Sequence, residues 1–336
     1  MASLAVSTEP AALASRAYRT LPAIASLLYP GLVWCGPAVY TPLLLLSLLP
    51  PVLCLAAARR LGVMDRFPLA SRVAHFGVGA PALFSFLGGW LDFQKALPFH
   101  TVGVWNSVGV WILLWAALAM AVFLERPSQW PERLPAPSRA RLAFVHGVSA
   151  TLLVTFVLVH LLNHLLGAWS GSLHLAFMTA ARVIYRSPLV EATLAIFLLF
   201  QTGSGLVLLW RKLGGPATSW LDTLRTASGA YLALFLLSHL SAVFRARYLR
   251  HTDTNWIWLT SDNLLMDDWS ARLAPYYFLG IVAFGLHVGC ALHRVLLGHE
   301  VKKALADRAF SIIAWATGAG AVIIMTGLIS ASMKSI

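Results

Sequence analysis

Eight predominantly apolar runs, near 38–58, 73–91, 102–124, 142–167, 189–210, 225–244, 273–297 and 310–332, constrain this chain more than any motif in it. Each reaches the roughly 19 residues that a helix needs to cross the hydrocarbon core, and in lipid a helix satisfies its own backbone hydrogen bonds. Only 11% of the residues are charged and 59% are hydrophobic, where a soluble domain carries about a quarter charged. The expectation is an all-α, polytopic membrane protein of about eight transmembrane helices.

The net charge of +12 does not point to nucleic acid, because the basic residues do not gather with aromatics on a polar domain. They sit in short loops between apolar runs. If the helices alternate in direction, one set of loops holds Arg59, Arg60, Arg66, Arg72, Arg126, Arg133, Arg139, Arg141, Arg211, Lys212, Arg225, Arg294, Lys302, Lys303 and Arg308, which is 15 of the 25 Lys and Arg. The positive-inside rule places that set in the cytoplasm or matrix and both termini outside. The membrane is then a bacterial inner membrane or a mitochondrial one. Arg16 and Arg19 in an Ala/Ser-rich leader allow a mitochondrial presequence and Glu9 opposes it, so the leader stays unassigned. Cys35, Cys54 and Cys290 lack CxxC spacing and read as packing residues.

The segment ERPSQWPERLPAPSRAR (125–141) is too rich in proline and charge to continue a helix. It divides a membrane extension of about three helices, residues 1–130, from a five-helix part, residues 139–336. A second loop, TDTNWIWLTSDNLLMDDW, interleaves Trp with Asp and Asn, as interfacial anchors do; a lid or docking surface is the other reading. Small residues at Gly285 and Gly289, at Gly203, Ser204 and Gly205, and at Gly318 and Gly320 allow close helix approach or room for a flat cofactor.

Eleven histidines in so uncharged a chain need a cause, since an imidazole at bilayer depth is costly unless paired or ligated. At about 1.5 Å per residue, His160 lies roughly 10 Å and His239 roughly 9 Å from the outer ends of the fourth and sixth spans. Two imidazoles at one depth on parallel spans suit axial ligation of a heme b between helices. Ser228, Gly229 and Gly167 offer small surfaces nearby, and Arg182, Arg186, Arg245 and Arg247 stand at the outer rim, where guanidinium groups pair with propionates. His287 lies mid-membrane, and the fifth span passes its depth with Gln201, a poor ligand, so one heme is expected and a second level has one good ligand only. His146, about 21 Å before His160 on the same helix, and Arg141 are candidates for a quinone head group. His164, one turn after His160, makes an i, i+4 pair of the kind that holds a metal, but lacks a third ligand. His174, His251, His293 and His299 read as solvated, and His75 and His100 belong to no constellation. No GxSxG, P-loop or GxGxxG stands in a polar domain, which leaves hydrolase and nucleotide-binding readings without parts.

RARLAFVHGVSATLLVTFVLVHLLNHL, YRSPLVEATLAIFLLFQTGSG, LRTASGAYLALFLLSHLSAV and LGIVAFGLHVGCALHRV resemble, in order, the first four helices of the diheme cytochrome b membrane anchors of succinate dehydrogenase and fumarate reductase. The likeness covers about residues 139–332. It implies a five-helix heme-binding bundle that carries single electrons between iron-sulfur and flavoprotein subunits, or another membrane subunit, and quinone. His160 and His239 match the ligands of the heme farther from the iron-sulfur subunit. His287 matches one ligand of the nearer heme, and Gln201 stands where that family has the other histidine. The pattern RxxYxxPxxE, from Arg182 through Tyr185 and Pro188 to Glu191, is similar to the membrane domain of mitochondrial outer-membrane lipid-homeostasis proteins. That likeness implies the alternative, a non-catalytic adaptor or lipid-handling protein.

Overall fold

The computed structural model describes residues 15–33, 45–64, 66–95, 107–128, 137–213, 215, 219–260 and 270–334, and among these there is no strand. Cys35, His100, Arg133, Trp269 and the first 14 residues of the leader lie outside them. Six helices are long and apolar enough to cross a membrane, as in an integral multi-pass protein: Ser107–Leu124, Ala140–Trp169, Pro188–Lys212, Trp220–Leu249, Ser270–Gly298 and Lys303–Met333. A seventh crossing arises only if Pro68–Val78 and Ala80–Leu91, bent by 69°, count as one span. The expected eight therefore become six or seven among the described residues.

One sequence feature accounts for the break in the run at 73–91, while residues 38–44 of the run at 38–58 lie outside the described residues. In the run at 38–58 the described helix is only 15 residues long, Leu49–Val63, and starts on the pair Pro50 and Pro51. In the run at 73–91, Gly79 ends one helix and Pro81 opens the next. Proline supplies no N–H and clashes with the carbonyl four residues before it, and here the helix breaks and bends by 69°.

The N-terminal part contains α1 (Arg16–Leu27), α2 (Tyr29–Val33), α3 (Leu49–Val63), α4 (Pro68–Val78), α5 (Ala80–Lys95) and α6 (Ser107–Leu124). Tyr29, Phe84, Trp111 and Trp115 form its buried aromatic centre, with Phe84 and Trp111 edge to face at 5.1 Å. The Trp111 indole N–H donates to the Ser26 carbonyl at 2.9 Å, which satisfies the one polar group that the ring would otherwise strand in the core. Glu125, just past α6, accepts from the first amides of α4, Leu69 N at 2.7 Å and Ala70 N at 3.0 Å. A carboxylate there answers both the orphan N–H groups and the positive end of the helix dipole. Glu125→Ala is expected to cost about 1–3 kcal/mol, read as a lower unfolding temperature in detergent, whereas Glu125→Gln should lose only part of that.

The C-terminal part contains α7 (Pro137–Trp169), α8 (Gly171–Tyr185), α9 (Pro188–Lys212), α10 (Trp220–Phe244), α11 (Trp256–Thr260), α12 (Leu273–Gly298) and α13 (Lys303–Lys334). Five of these pack in a closed circuit, α7 on α9, α9 on α10, α10 on α12, α12 on α13 and α13 back on α7. Helices α7 and α10 thus face each other across the circuit. The tightest seam joins α12 to α13, where a Cβ on Gly285 would overlap Thr317 and one on Gly289 would lie 3.1 Å from Phe310. Gly318 and Gly320, by contrast, have nothing within 4 Å of a Cβ. The N-terminal part docks on this circuit through α3, α4 and α5 against α10, with Gly79 seated on Leu234 and Arg72 Nε donating to the Leu213 carbonyl at 3.0 Å. Cys54 and Cys290 are free and buried.

Candidate functional site

Across the circuit, the side chains of α7 and α10 meet at His160 and His239, whose ring centroids are 6.1 Å apart with planes inclined at 66°. Helix direction and rise had put these two at one depth, and the structure brings them together. Neither ring hydrogen-bonds to a described residue, and each is only partly covered, so no described residue claims the nitrogens. Phe156 stacks on His160 at 6.0 Å and 17°, and Phe235 stacks on His239 at 5.4 Å and 7°.

A trail of imidazoles leaves this pair toward the C-terminal end of α7. His164 stands edge-on to His160 at 4.7 Å, and His174 of α8 lies 5.4 Å from His164. His174 is only 2% exposed and bonds Asn163 through Nε2 at 3.0 Å, which corrects its reading as solvated. Burial holds it down to about 4, with His160 and Arg182 adding to the effect, so it is uncharged at neutral pH. The buried atoms His164 Nδ1, His174 Nδ1 and Asn163 Oδ1 have no hydrogen-bond partner among the described residues. Among the described residues no group of three or more His, Cys, Asp or Glu is arranged to hold a metal ion.

Trp256, expected at the headgroup level, instead turns inward and caps this trail, 4.8 Å from His174. It fits because α7 and α8 are cut away at Gly167 and Gly171, where a Cβ would overlap the indole. Gly167 is therefore occupied by protein, not kept for a flat cofactor. The loop carrying Trp256 is fastened by Arg182, which bridges to Asp253 at 2.9 Å and donates to the Thr254 carbonyl at 3.0 Å, and by Arg186, which donates to Thr254 Oγ1 at 3.2 Å. Arg245 donates to the carbonyls of Gly89 and Ser241. Arg247 pairs with Glu191 at 2.5 Å, and the Tyr248 hydroxyl joins the same carboxylate. The guanidinium groups of all four arginines are on protein acceptors.

Toward the inner end a second polar level forms around His146. Gln201 of α9 donates from Nε2 to His146 Nε2 at 2.9 Å, and His146 Nδ1 then donates to Ser204 Oγ at 2.8 Å. Ser149 Oγ donates to Gln201 Oε1 at 2.8 Å, which orients the amide. Gln201 is thus tied to His146. His287 keeps Nδ1 on the Arg225 carbonyl at 3.3 Å and occupies the space left by Gly229, whose Cβ would lie 3.1 Å from its ring. Arg141 is exposed and takes no part in the network. His293, read as solvated, is buried and bonded to Asp307 at 2.8 Å. His251 and His299 are exposed, and His75 is buried on the Ser71 carbonyl.

Composition and spacing found the histidine pair, but not its two stacked phenylalanines, nor His174. The signal for the first is the repeat FVLVH (156–160) and FLLSH (235–239), in which Phe precedes His by one turn. For the second it is the four-residue step from His174 to Met178, the two buried positions of α8. Comparison with protein-family models, with curated proteins and with solved structures returns no match to this chain in any of the three.

Proposed function

We propose that this protein is a membrane b-type cytochrome, built like the diheme anchors of succinate dehydrogenase and fumarate reductase but holding one heme, through His160 and His239, and exchanging single electrons with quinone. The observation that carries this reading is the facing pair itself. Two imidazoles on opposite faces of one iron, with metal–nitrogen bonds of about 2 Å, would have ring centres roughly 6 Å apart, and these rings stand at 6.1 Å with no hydrogen-bond partner among the described residues. Heme bound there supplies one-electron chemistry in a site whose potential is set by the two ligands and by burial. The stacked phenylalanines and the Trp256 cap exclude water from the ligands' outer side.

The inner level supports quinone contact better than a second heme, because both nitrogens of His146 are engaged and Gln201 orients it. Its Nδ1–H, now given to Ser204, is the donor a quinone carbonyl would take over. His146→Ala is expected to slow quinol-driven reduction about tenfold, the loss of one hydrogen bond, with heme content unchanged. Titrating hemin into the detergent-purified protein is expected to saturate at about one per chain in wild type and to show no specific binding in the His160→Leu, His239→Leu double variant. Equal binding by both would remove the reading.

The alternative of an adaptor or lipid-handling protein gains no support from the RxxYxxPxxE residues, which are consumed in internal contacts, Arg182 on Asp253 and Glu191 on Arg247. These contacts hold the outer rim together under either reading.

A further inference from the structure

Phe156 and Phe235 occupy equivalent places: each lies four residues before a histidine of the facing pair, on the same helix, with its ring nearly parallel to the imidazole, 17° off for Phe156 and 7° off for Phe235. Each phenylalanine has a second aromatic contact of its own. Phe235 is set into the gap at Gly280, where a Cβ would lie 2.6 Å from its ring, and is backed by Tyr276 at 4.6 Å and Tyr231 at 6.3 Å. Tyr276 is itself fixed from two sides, since its carbonyl accepts from the Tyr231 hydroxyl at 2.8 Å and its own hydroxyl donates to the Phe235 carbonyl at 3.3 Å. Phe156 meets the Tyr185 ring edge to face at 5.8 Å. The two phenylalanine rings run nearly parallel to the two imidazoles, whose other ring neighbours, His164 on His160 at 4.7 Å and Tyr277 on His239 at 6.3 Å, stand edge-on, and the imidazole planes stand 66° apart, nearer perpendicular than parallel.

We infer that Phe156 and Phe235 are positioning residues that hold the ligand planes of His160 and His239 crossed, an inference that rests on the heme reading above. The consequence is electronic. Each imidazole mixes its filled π orbital with one iron d orbital perpendicular to its plane; parallel planes raise one d orbital above its partner, whereas crossed planes raise both and leave them close in energy. A ferric low-spin centre with near-degenerate orbitals gives a strongly anisotropic electron paramagnetic resonance signal with one large g value. Parallel planes give an ordinary rhombic signal.

The test is the low-temperature spectrum of the oxidised, detergent-purified protein. Wild type is expected to show the large-g anisotropic signal. Phe235→Leu and Phe156→Leu should retain heme at the wild-type ratio per chain but shift that signal toward the rhombic type or spread it, because leucine offers no flat face. Phe235→Tyr, which keeps the face, should restore the wild-type signal. Phe144→Leu, at an exposed position on the same helix as Phe156, should change nothing. A rhombic wild-type signal, or leucine variants that superimpose on wild type, would overturn the positioning role while leaving heme binding intact. Absence of heme from wild type overturns both. If one leucine variant fails to fold, the other still decides the matter.

Discussion

His239→Ala is expected to strip the protein of heme, to roughly a tenth of the wild-type content or less as judged by pyridine hemochrome, since one imidazole cannot replace the pair. His160→Ala should do the same. His293→Ala is the informative comparison, because His293 lies on α12 and is also buried, yet bonds Asp307 of α13 and not the pair. It should retain its heme. Equal heme content in the His239 and His293 variants would defeat the assignment of the facing pair as ligands.

Gly285→Val is expected to produce the largest loss of stability in the C-terminal part. The Cβ alone overlaps Thr317, and both helices of the α12–α13 seam are backed by neighbours in the circuit, so relief requires the seam to open. Overpacking of this kind costs about 1–3 kcal/mol or more, and in a membrane the close approach of two helices at small residues is itself the source of their attraction. Gly318→Val makes the same chemical change on α13 with nothing within 4 Å of the Cβ, and its effect should stay within about 0.5 kcal/mol. Thermal unfolding of the two variants in detergent separates a packing seam from a general intolerance of valine.

The helical, membrane-crossing character was legible because hydropathy reports a solvent and needs no partner. Where the sequence misled, the cause was local backbone chemistry or a contact between distant segments. Hydropathy runs straight through Gly79 and Pro81, but the helix does not. Trp256 looked like an interfacial anchor because its loop alternates Trp with polar residues; its inward turn depends on Gly167 and Gly171, some ninety residues earlier. Gln201 matched a ligand position in one helix read alone, and only the packing of α9 on α7 shows it bonded to His146. The pair His160 and His239 was readable because both lie on long helices, where rise per residue converts position directly into depth. The planes of their rings were not, since a plane is set by what stacks on it.

The central claim is that His160 and His239 face each other in order to hold one iron between them. The reduced-minus-oxidised visible spectrum of the purified full-length protein, with heme quantified per chain, tests it most directly. The account predicts sharp low-spin bands from about one heme per chain. A preparation that stays colourless after growth with ample heme would contradict it.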